Sequence, residues 1–388
     1  MVIKMEWKIL LEKIDSLSEK YIKLLEDICN IESPTLYKEG VDKVCDFMLE
    51  KGKDLGFSCE RHPISGSGDV GTIIMNPEGK GKKVSLSAHM DTVHPIGLFG
   101  NPPVKRADGK LYGPGVVDCK GGLISSLLAM EALTLCGYDA RPVQLILQSD
   151  EENSSSSSKG ETVKYMCEKA KDSEYFINLE GFSNGVAVIK RKGIAKYIIK
   201  IKGKAYHSAS CFNENAANAI TEAAHKIIEL EKLKNPDGVT CNCGVIKGGT
   251  VSNSVAAECE FTADFRFSNE KEYEFVEKTV KALTESITVP GCSCEVIQES
   301  LRPAMEYVER NVELLKKMNK IYEECGLPVL PEGARVGGSD AAHITIEGIP
   351  CVDSLGTEGG FIHSVKEFAY ETSVAESAKR IAAVIMGI

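Results

Sequence analysis

A surplus of positive charge is missing from this sequence. Among its 388 residues 46 are Lys or Arg and 56 are Asp or Glu, for a formal net charge of -10. A nucleic-acid partner needs a basic face, and no Lys/Arg-rich run is dense enough to form one, so no nucleic acid is expected. Long apolar runs are missing too. The longest, Leu123 to Leu135, is short and carries Ser125, Ser126 and Glu131, so it cannot span a bilayer and no membrane partner is expected. Met1 to Leu11 mixes apolar and charged residues, without the apolar stretch or small-residue cleavage site of an export signal. No internal repeat is evident. The one low-complexity patch, Ser154 to Ser158, is short enough to be a single loop leading into a helix.

Cysteine, by contrast, is plentiful, at fourteen residues. Without an export signal these read as reduced thiols, and a cytoplasmic location is expected. Cys241/Cys243 and Cys292/Cys294 form two Cys-x-Cys pairs that could hold a soft metal. Both lie in strand-like stretches, where positions i and i+2 merely share a face, so they read as core or surface thiols.

Hydrophobic residues at 43% and charged residues at 26% describe an ordinary globular chain, and its length implies two domains. In the first half Val84 to Ala88, Val143 to Leu147 and Tyr175 to Leu179 are short, largely apolar stretches of the kind that form buried parallel strands. Helical patterns at Gly121 to Leu135 and Glu161 to Ala170 alternate with them. The fold class expected is α/β, a mixed, mostly parallel sheet with helices on both faces.

From about Lys190 the pattern changes. Strands at Ile194 to Lys202, Cys241 to Ile246, Val255 to Phe267 and Ser293 to Gln298 are interleaved with helices at Asn215 to Lys234 and Lys271 to Ser286. The third of these strands alternates apolar and polar residues throughout, as an antiparallel strand with one wet face does. The order β-α-β-β-α-β is that of a ferredoxin-like α+β unit. The organisation expected is a catalytic domain from 1-189 and 301-388, with an inserted lid and dimerisation domain at 190-300. A helix at Glu306 to Cys325, a short helix opened by Ser339 and Asp340, and a strand at Pro350 to Leu355 complete the second part.

Chemistry concentrates where strands end, the usual place for ligands in open α/β sheets. Val84 to Ala88 runs into His89-Met90-Asp91, Val143 to Leu147 into Asp150-Glu151-Glu152, and Tyr175 to Leu179 into Glu180. Asp118 precedes the helix that begins near Gly121, and Pro350 to Leu355 leads to His363. Five segments deliver imidazole or carboxylate to one edge of one sheet, and so many anions repel unless cations hold them. Two His and three or four carboxylates suit two borderline divalent ions such as zinc, with cobalt or manganese as alternatives.

These residues resemble the co-catalytic zinc peptidases that include glutamate carboxypeptidase, acetylornithine deacetylase and succinyl-diaminopimelate desuccinylase. Seven motifs in the family's order carry the resemblance: Ser87 to Val93, Tyr112 to Gly122, Asp150 to Glu152, Gly203 to Ser208, Gly248 to Asn253, Gly338 to Ala341 and Phe361 to Ser364. The resemblance implies that His89 and Glu180 hold one zinc and Glu152 and His363 the other, with Asp118 bridging both. Glu151 is implied as the general base, a carboxylate near the water yet not consumed as a ligand. Asp91 would orient the imidazole of His89 through its free ring nitrogen. A cis peptide after the bridging aspartate is frequent in the family.

In the inserted domain His207, joined by Asn253, would stabilise the developing oxyanion, frequently across a homodimer interface. Arg335, just before Gly337 and Gly338, is the candidate clamp for a substrate carboxylate. His62, His94, His225 and His343 have no motif support and read as outside the site, with His94 the one candidate for support behind the ligands. Cys119 and the run Asn153 to Ser158 depart from the family pattern, and neither removes a ligand.

The function implied is zinc-dependent hydrolysis of an amide bond in a small peptide or N-acyl amino acid substrate, most like a carboxypeptidase releasing an acidic residue. The alternatives are an N-acyl amino acid deacylase or desuccinylase, a tripeptide-type aminopeptidase, and a non-catalytic metal-binding relative. A thiol-metal store built on the Cys-x-Cys pairs is a further reading.

Overall fold

The computed structural model describes residues 2–388. They fall into two compact units, Met1–Ile189 with Tyr307–Ala334 and Ser339–Ile388, and Lys190–Glu306 with Arg335–Gly338.

The first unit is organised by a six-stranded sheet in the order Ser58–His62, Val70–Met75, Val143–Gln148, Val84–His89, Phe176–Asn178, Cys351–Val352. The last four strands are parallel, and the first two join antiparallel at one edge. Val84–His89 and Val143–Gln148 are buried along their whole length, as strands covered on both faces must be. Val84, Leu86 and Ala88 belong to the main apolar core with Leu123, Ile124 and Leu127 of the helix Lys120–Leu135. That helix packs in turn on Val2–Cys29 and Glu371–Gly387.

The opposite face carries Ser85, Gln144 and Gln148 against the helix Glu161–Ala170. These polar groups are buried and hydrogen-bonded: Gln144 donates to Ser85 Oγ (3.1 Å) and to the Lys169 carbonyl (3.0 Å), and Gln148 donates to Asp340 Oδ2 (3.0 Å), while the Gln148 side-chain oxygen is left without a partner among the described residues.

Glycine is required where the helix Lys120–Leu135 begins. A Cβ at Gly121 would overlap Thr357 and the Val116 carbonyl, and one at Gly122 would overlap the Leu179 carbonyl. The helix start is thereby pressed onto the backbone leading to Glu180. The expected strand at Pro350 to Leu355 shrinks to Cys351–Val352, because Asp353 exchanges both backbone hydrogen bonds with Val188 (2.8 and 3.0 Å).

A second, four-stranded sheet had no counterpart in the sequence reading. It runs Gly359–Gly360, Phe368–Tyr370, Lys110–Tyr112, Lys105–Ala107, all antiparallel. Its pairing of Phe368 with Tyr112 sets the loop after Gly360 beside the chain leading to Asp118.

In the second unit the strands Gly193–Lys202, Thr240–Gly248, Glu258–Phe267 and Ser293–Arg302 form an antiparallel sheet, with the helices Ala219–Leu230 and Glu270–Glu285 packed against it. The sequential order is β-α-β-β-α-β and the first strand lies between the third and fourth, which is the ferredoxin-like arrangement. The first helix is shorter than its apolar pattern because Asn218 caps it, accepting from the N–H groups of Ile220 (3.0 Å) and Thr221 (3.3 Å). No helix among the described residues is long and apolar enough to cross a membrane, and all fourteen cysteines are free thiols.

Candidate active site

The parallel strands of the first unit all end at the same edge, and three of the four deliver polar side chains to the cluster there. His89 closes its strand and Asp91 lies just beyond it. Glu151 and Glu152 open a single 3-10 turn after Val143–Gln148, and Glu180 follows Phe176–Asn178. Asp118 and His363 arrive from the two connections that the second sheet holds together. The peptide Asp118–Cys119 is cis, and His363 has a positive φ of 59°.

Asp118 is the centre of the cluster. Its Oδ1 lies 3.0 Å from His89 Nε2 and its Oδ2 3.1 Å from His363 Nε2. Glu180 Oε1 is 3.9 Å from the same nitrogen of His89, and Glu152 Oε2 is 3.3 Å from that of His363. One carboxylate therefore faces two imidazoles, and each imidazole has a further carboxylate of its own. Cys119 Sγ accepts the backbone N–H of His89 (3.3 Å) and lies with the His89 ring and Glu180 in a cluster of ligand type.

The donor chemistry demands cations. Nδ1 of His89 sits 2.9 Å from the carbonyl oxygen of Asp91, an acceptor, so that nitrogen carries the proton. In a neutral ring Nε2 then presents only a lone pair, and it is aimed at the carboxylate of Asp118. Lone pair faces lone pair unless a positive charge lies between them. In the protein without ions, protons take that part.

Burial and the charge of Asp118 push Glu152 up to about 8. Hydrogen bonds that the His363 imidazole donates to Asp118 and Glu152 raise it to about 10. Burial alone would raise Asp118, yet its bonds to His363 and His89 hold it well below the usual carboxylate range. Separations of 3.0 to 3.9 Å between donors are what two metal bonds of roughly 2.1 Å allow. The residues present fit divalent ions.

Asp91 does more than touch His89, whose Nδ1 is 3.3 Å from its Oδ1. It is wholly buried, and it accepts the N–H groups of Glu151 and Glu152 (both 3.2 Å) and the hydroxyl of Thr35 (2.7 Å). It lies past the end of the strand, so it reaches back to the ring from a turn and not along a shared strand face. Glu151 itself is buried, and its charge adds to the rise in Glu152.

Two supporting residues, Glu367 and Lys120, have no place in the sequence reading, and a third, His94, does. Glu367 is fully buried and accepts the backbone N–H groups of Gly115 (3.3 Å), Val117 (3.0 Å) and Asp118 (3.1 Å). His94 donates from Nε2 to the same carboxylate at 2.9 Å, so the one unassigned histidine with a suspected supporting place has it two steps behind Asp118. Lys120, also fully buried, donates to the carbonyl of Ile31 at 2.7 Å and ties the helix start to the end of Val2–Cys29. The spacing of Glu367 four residues after His363 was the available signal. His62 stacks on Tyr165 at 5.0 Å between ring centres, away from this network.

The remaining sequence-predicted residues belong to the second unit. His207 and Asn253 are both exposed and come together through the bridge between His207 and Ser254 and the bond from Ser208 N–H to the Asn253 carbonyl (3.0 Å). Nδ1 of His207 accepts the N–H of Ala209 at 3.2 Å. Arg335 receives the N–H of Lys192 on its carbonyl (3.1 Å), and Arg191 donates to the carbonyl of Gly338 (3.2 Å). A Cβ at Gly338 would press on Arg302 and Ile194 at 2.8 and 2.9 Å, so close packing accounts for that glycine.

Residues 85–387 match the model of Peptidase family M20/M25/M40. The chain is 31% identical over 353 residues to carboxypeptidase G2 of Pseudomonas sp. (strain RS-16), covering 89% of this chain and 83% of that protein. It is 25% identical over 345 residues to a succinyl-diaminopimelate desuccinylase of Alkalilimnicola ehrlichii, covering 84% and 89%. The crystal structure of aminopeptidase PepT from Bacillus cereus superposes with a TM-score of 0.76 at 24% identity, over 95% of this chain and 98% of that one, a likeness of fold. The chain therefore belongs to peptidase family M20/M25/M40 and is a metal-dependent hydrolase.

Proposed function

We propose that this protein is a two-metal exopeptidase, a carboxypeptidase that releases a C-terminal acidic residue from a small peptide or N-acyl amino acid. The placement of Asp118 carries the reading: its two oxygens face His89 and His363 separately, at 3.0 and 3.1 Å. A carboxylate shared in that way is what a pair of neighbouring cations requires. In this reading His89 and Glu180 hold one ion, Glu152 and His363 hold the other, and Asp118 holds both. Zinc suits imidazole and carboxylate donors, with cobalt or manganese as alternatives.

Bound there, the ions would acidify a water and polarise the scissile carbonyl. Glu151 takes the proton from that water and hands it to the leaving amine. Asp91 keeps the ring of His89 turned and the backbone of Glu151 and Glu152 fixed. His207 and Asn253 are assigned to the developing oxyanion, and Arg335 to the substrate carboxylate with Gly338 beside it. A homodimer through the second unit and a cytoplasmic location complete the reading.

Likeness to carboxypeptidase G2 supports the carboxypeptidase assignment. Likeness to a desuccinylase supports an N-acyl amino acid deacylase as the second reading. A chromatographic screen of dipeptides and N-acyl amino acids with the zinc, manganese and cobalt forms separates the two. Release of C-terminal Glu or Asp from dipeptides, abolished by chelator, is expected. A metal-loaded protein inert on the whole panel would leave only a metal-binding relative.

A further inference from the structure

The second sheet of the first unit has a face that the metal cluster does not use. Lys105 pairs with Tyr112 and Tyr112 with Phe368, while Lys110 pairs with Tyr370 one step along, so aromatic rings and ammonium groups share one side of the sheet. Above them lies a cavity of about 440 Å³. Rings of Phe99, Phe361 and Phe368 wall it, and Lys105, Lys110 and Lys366 reach into it. No carboxylate lines it.

In a chain of net charge -10 three lysines gathered without an acidic partner in the lining make a local reversal of sign. The acidic groups nearby are committed: Glu19 and Glu371 both pair with Arg106, at 2.5 and 2.7 Å. One ammonium is held in place, since Lys110 Nζ stands 4.2 Å over the ring of Phe368 and 5.4 Å from that of Tyr370. Apolar walls with a few fixed charges are the composition of a small-molecule site.

We propose that this cavity binds an aromatic carboxylate, the ring against Phe361 and Phe368 and the negative charge among the three lysines. None of the metal-cluster side chains lines it, yet it adjoins their supports twice. Phe361 and Val365 flank His363 in sequence, and Phe99 packs edge-on against His94 at 4.9 Å. An occupant therefore meets chain neighbours of His363 and, at Phe99, the start of a contact path through His94 and Glu367 to the backbone of Asp118. The aryl acid is either free or the far end of a substrate, bearing a carboxylate that is not the one joined in the scissile amide.

The test is a saturation-transfer NMR titration of the metal-loaded protein with benzoate, with benzylamine and sulfate as probes that lack the charge or the ring. Saturable benzoate binding is expected, weakened at least tenfold in K105A/K110A/K366A and in Phe361→Ala, with neither control competing. Unchanged affinity in the folded lysine variant, or benzylamine binding as well as benzoate, would overturn the proposal. So would the lack of saturable binding.

The source is separated by kinetics. A raised KM in the lysine variant for N-(4-carboxybenzoyl) amino acids, and not for N-benzoyl amino acids, marks a substrate subsite. A benzoate effect on turnover of a non-aromatic dipeptide, without competition, marks a site for the free acid. The binding measurement stands whether or not the carboxypeptidase reading survives.

Discussion

Glu367 accepts the backbone N–H of Asp118 at 3.1 Å while His94 donates to its other oxygen at 2.9 Å. The central aspartate of the cluster is thus positioned by a second carboxylate that never faces the ligands. Glu367 is fully buried and accepts from four donors, which the lone pairs of a carboxylate can take up together. An amide in its place must turn an NH2 group toward other donors, whichever way it is flipped.

The variant Glu367→Gln is therefore expected to lose about 1–3 kcal/mol of stability and roughly 10- to 100-fold in metal affinity. Urea unfolding and a competition titration with a chromophoric chelator measure the two. Unchanged metal affinity would remove Glu367 from the support of Asp118.

For Glu151 the expectation separates binding from turnover. Glu151→Gln keeps the backbone bond to Asp91 and removes the proton acceptor. Turnover should fall by about 10²- to 10⁴-fold while metal content per chain stays the same. Elemental analysis beside steady-state rates checks both, and a parallel loss of metal would make Glu151 a ligand instead.

Removing the metals should make stability fall as pH rises. His363 without ions is raised to about 10, so its contribution is full below roughly 6.5, its unfolded value, and is lost as pH climbs through 10. Glu152, raised to about 8, binds its proton more tightly folded than unfolded, so its contribution also disappears upward, from its ordinary range to about 8. Both signs agree. Thermal melts of the chelated protein should drop between pH 6.5 and 9.5 and respond far less to pH once zinc is restored. A flat profile for the chelated protein would contradict the protonation described for the cluster.

The paired cysteines should be irrelevant to the metals. Cys241 is buried in the second unit, and the backbone of Cys243 is held by Glu231 at 2.6 Å. Replacing both by Ser should leave metal content and activity within error. A drop in bound metal by elemental analysis would revive a thiol site.

How much of this was legible beforehand follows physical lines. His89, Glu152 and Glu180 could be placed because each follows an apolar stretch whose buried-strand character shows in a few consecutive residues. Asp91 was assigned to the ring of His89 but not to the amides of Glu151 and Glu152, because a hydrogen bond over sixty residues leaves no periodic trace. Glu367 and Lys120 look like surface residues in a sequence, and only the three-dimensional count of donors and acceptors reveals them as buried. The second sheet stayed hidden for a related reason. Strands of two or three residues, paired across some 250 positions, are too short to display alternation.

That long-range pairing has a consequence for synthesis. Phe368–Tyr370 lies beside Lys110–Tyr112 in the sheet that brings the loops bearing His363 and Asp118 together. A ribosome-bound chain that has reached only its first 350 residues carries Glu151 and four of the five clustered side chains, yet has no His363 with which to close the cluster. Closure of the cluster therefore waits until Phe361 to Tyr370 has left the ribosome.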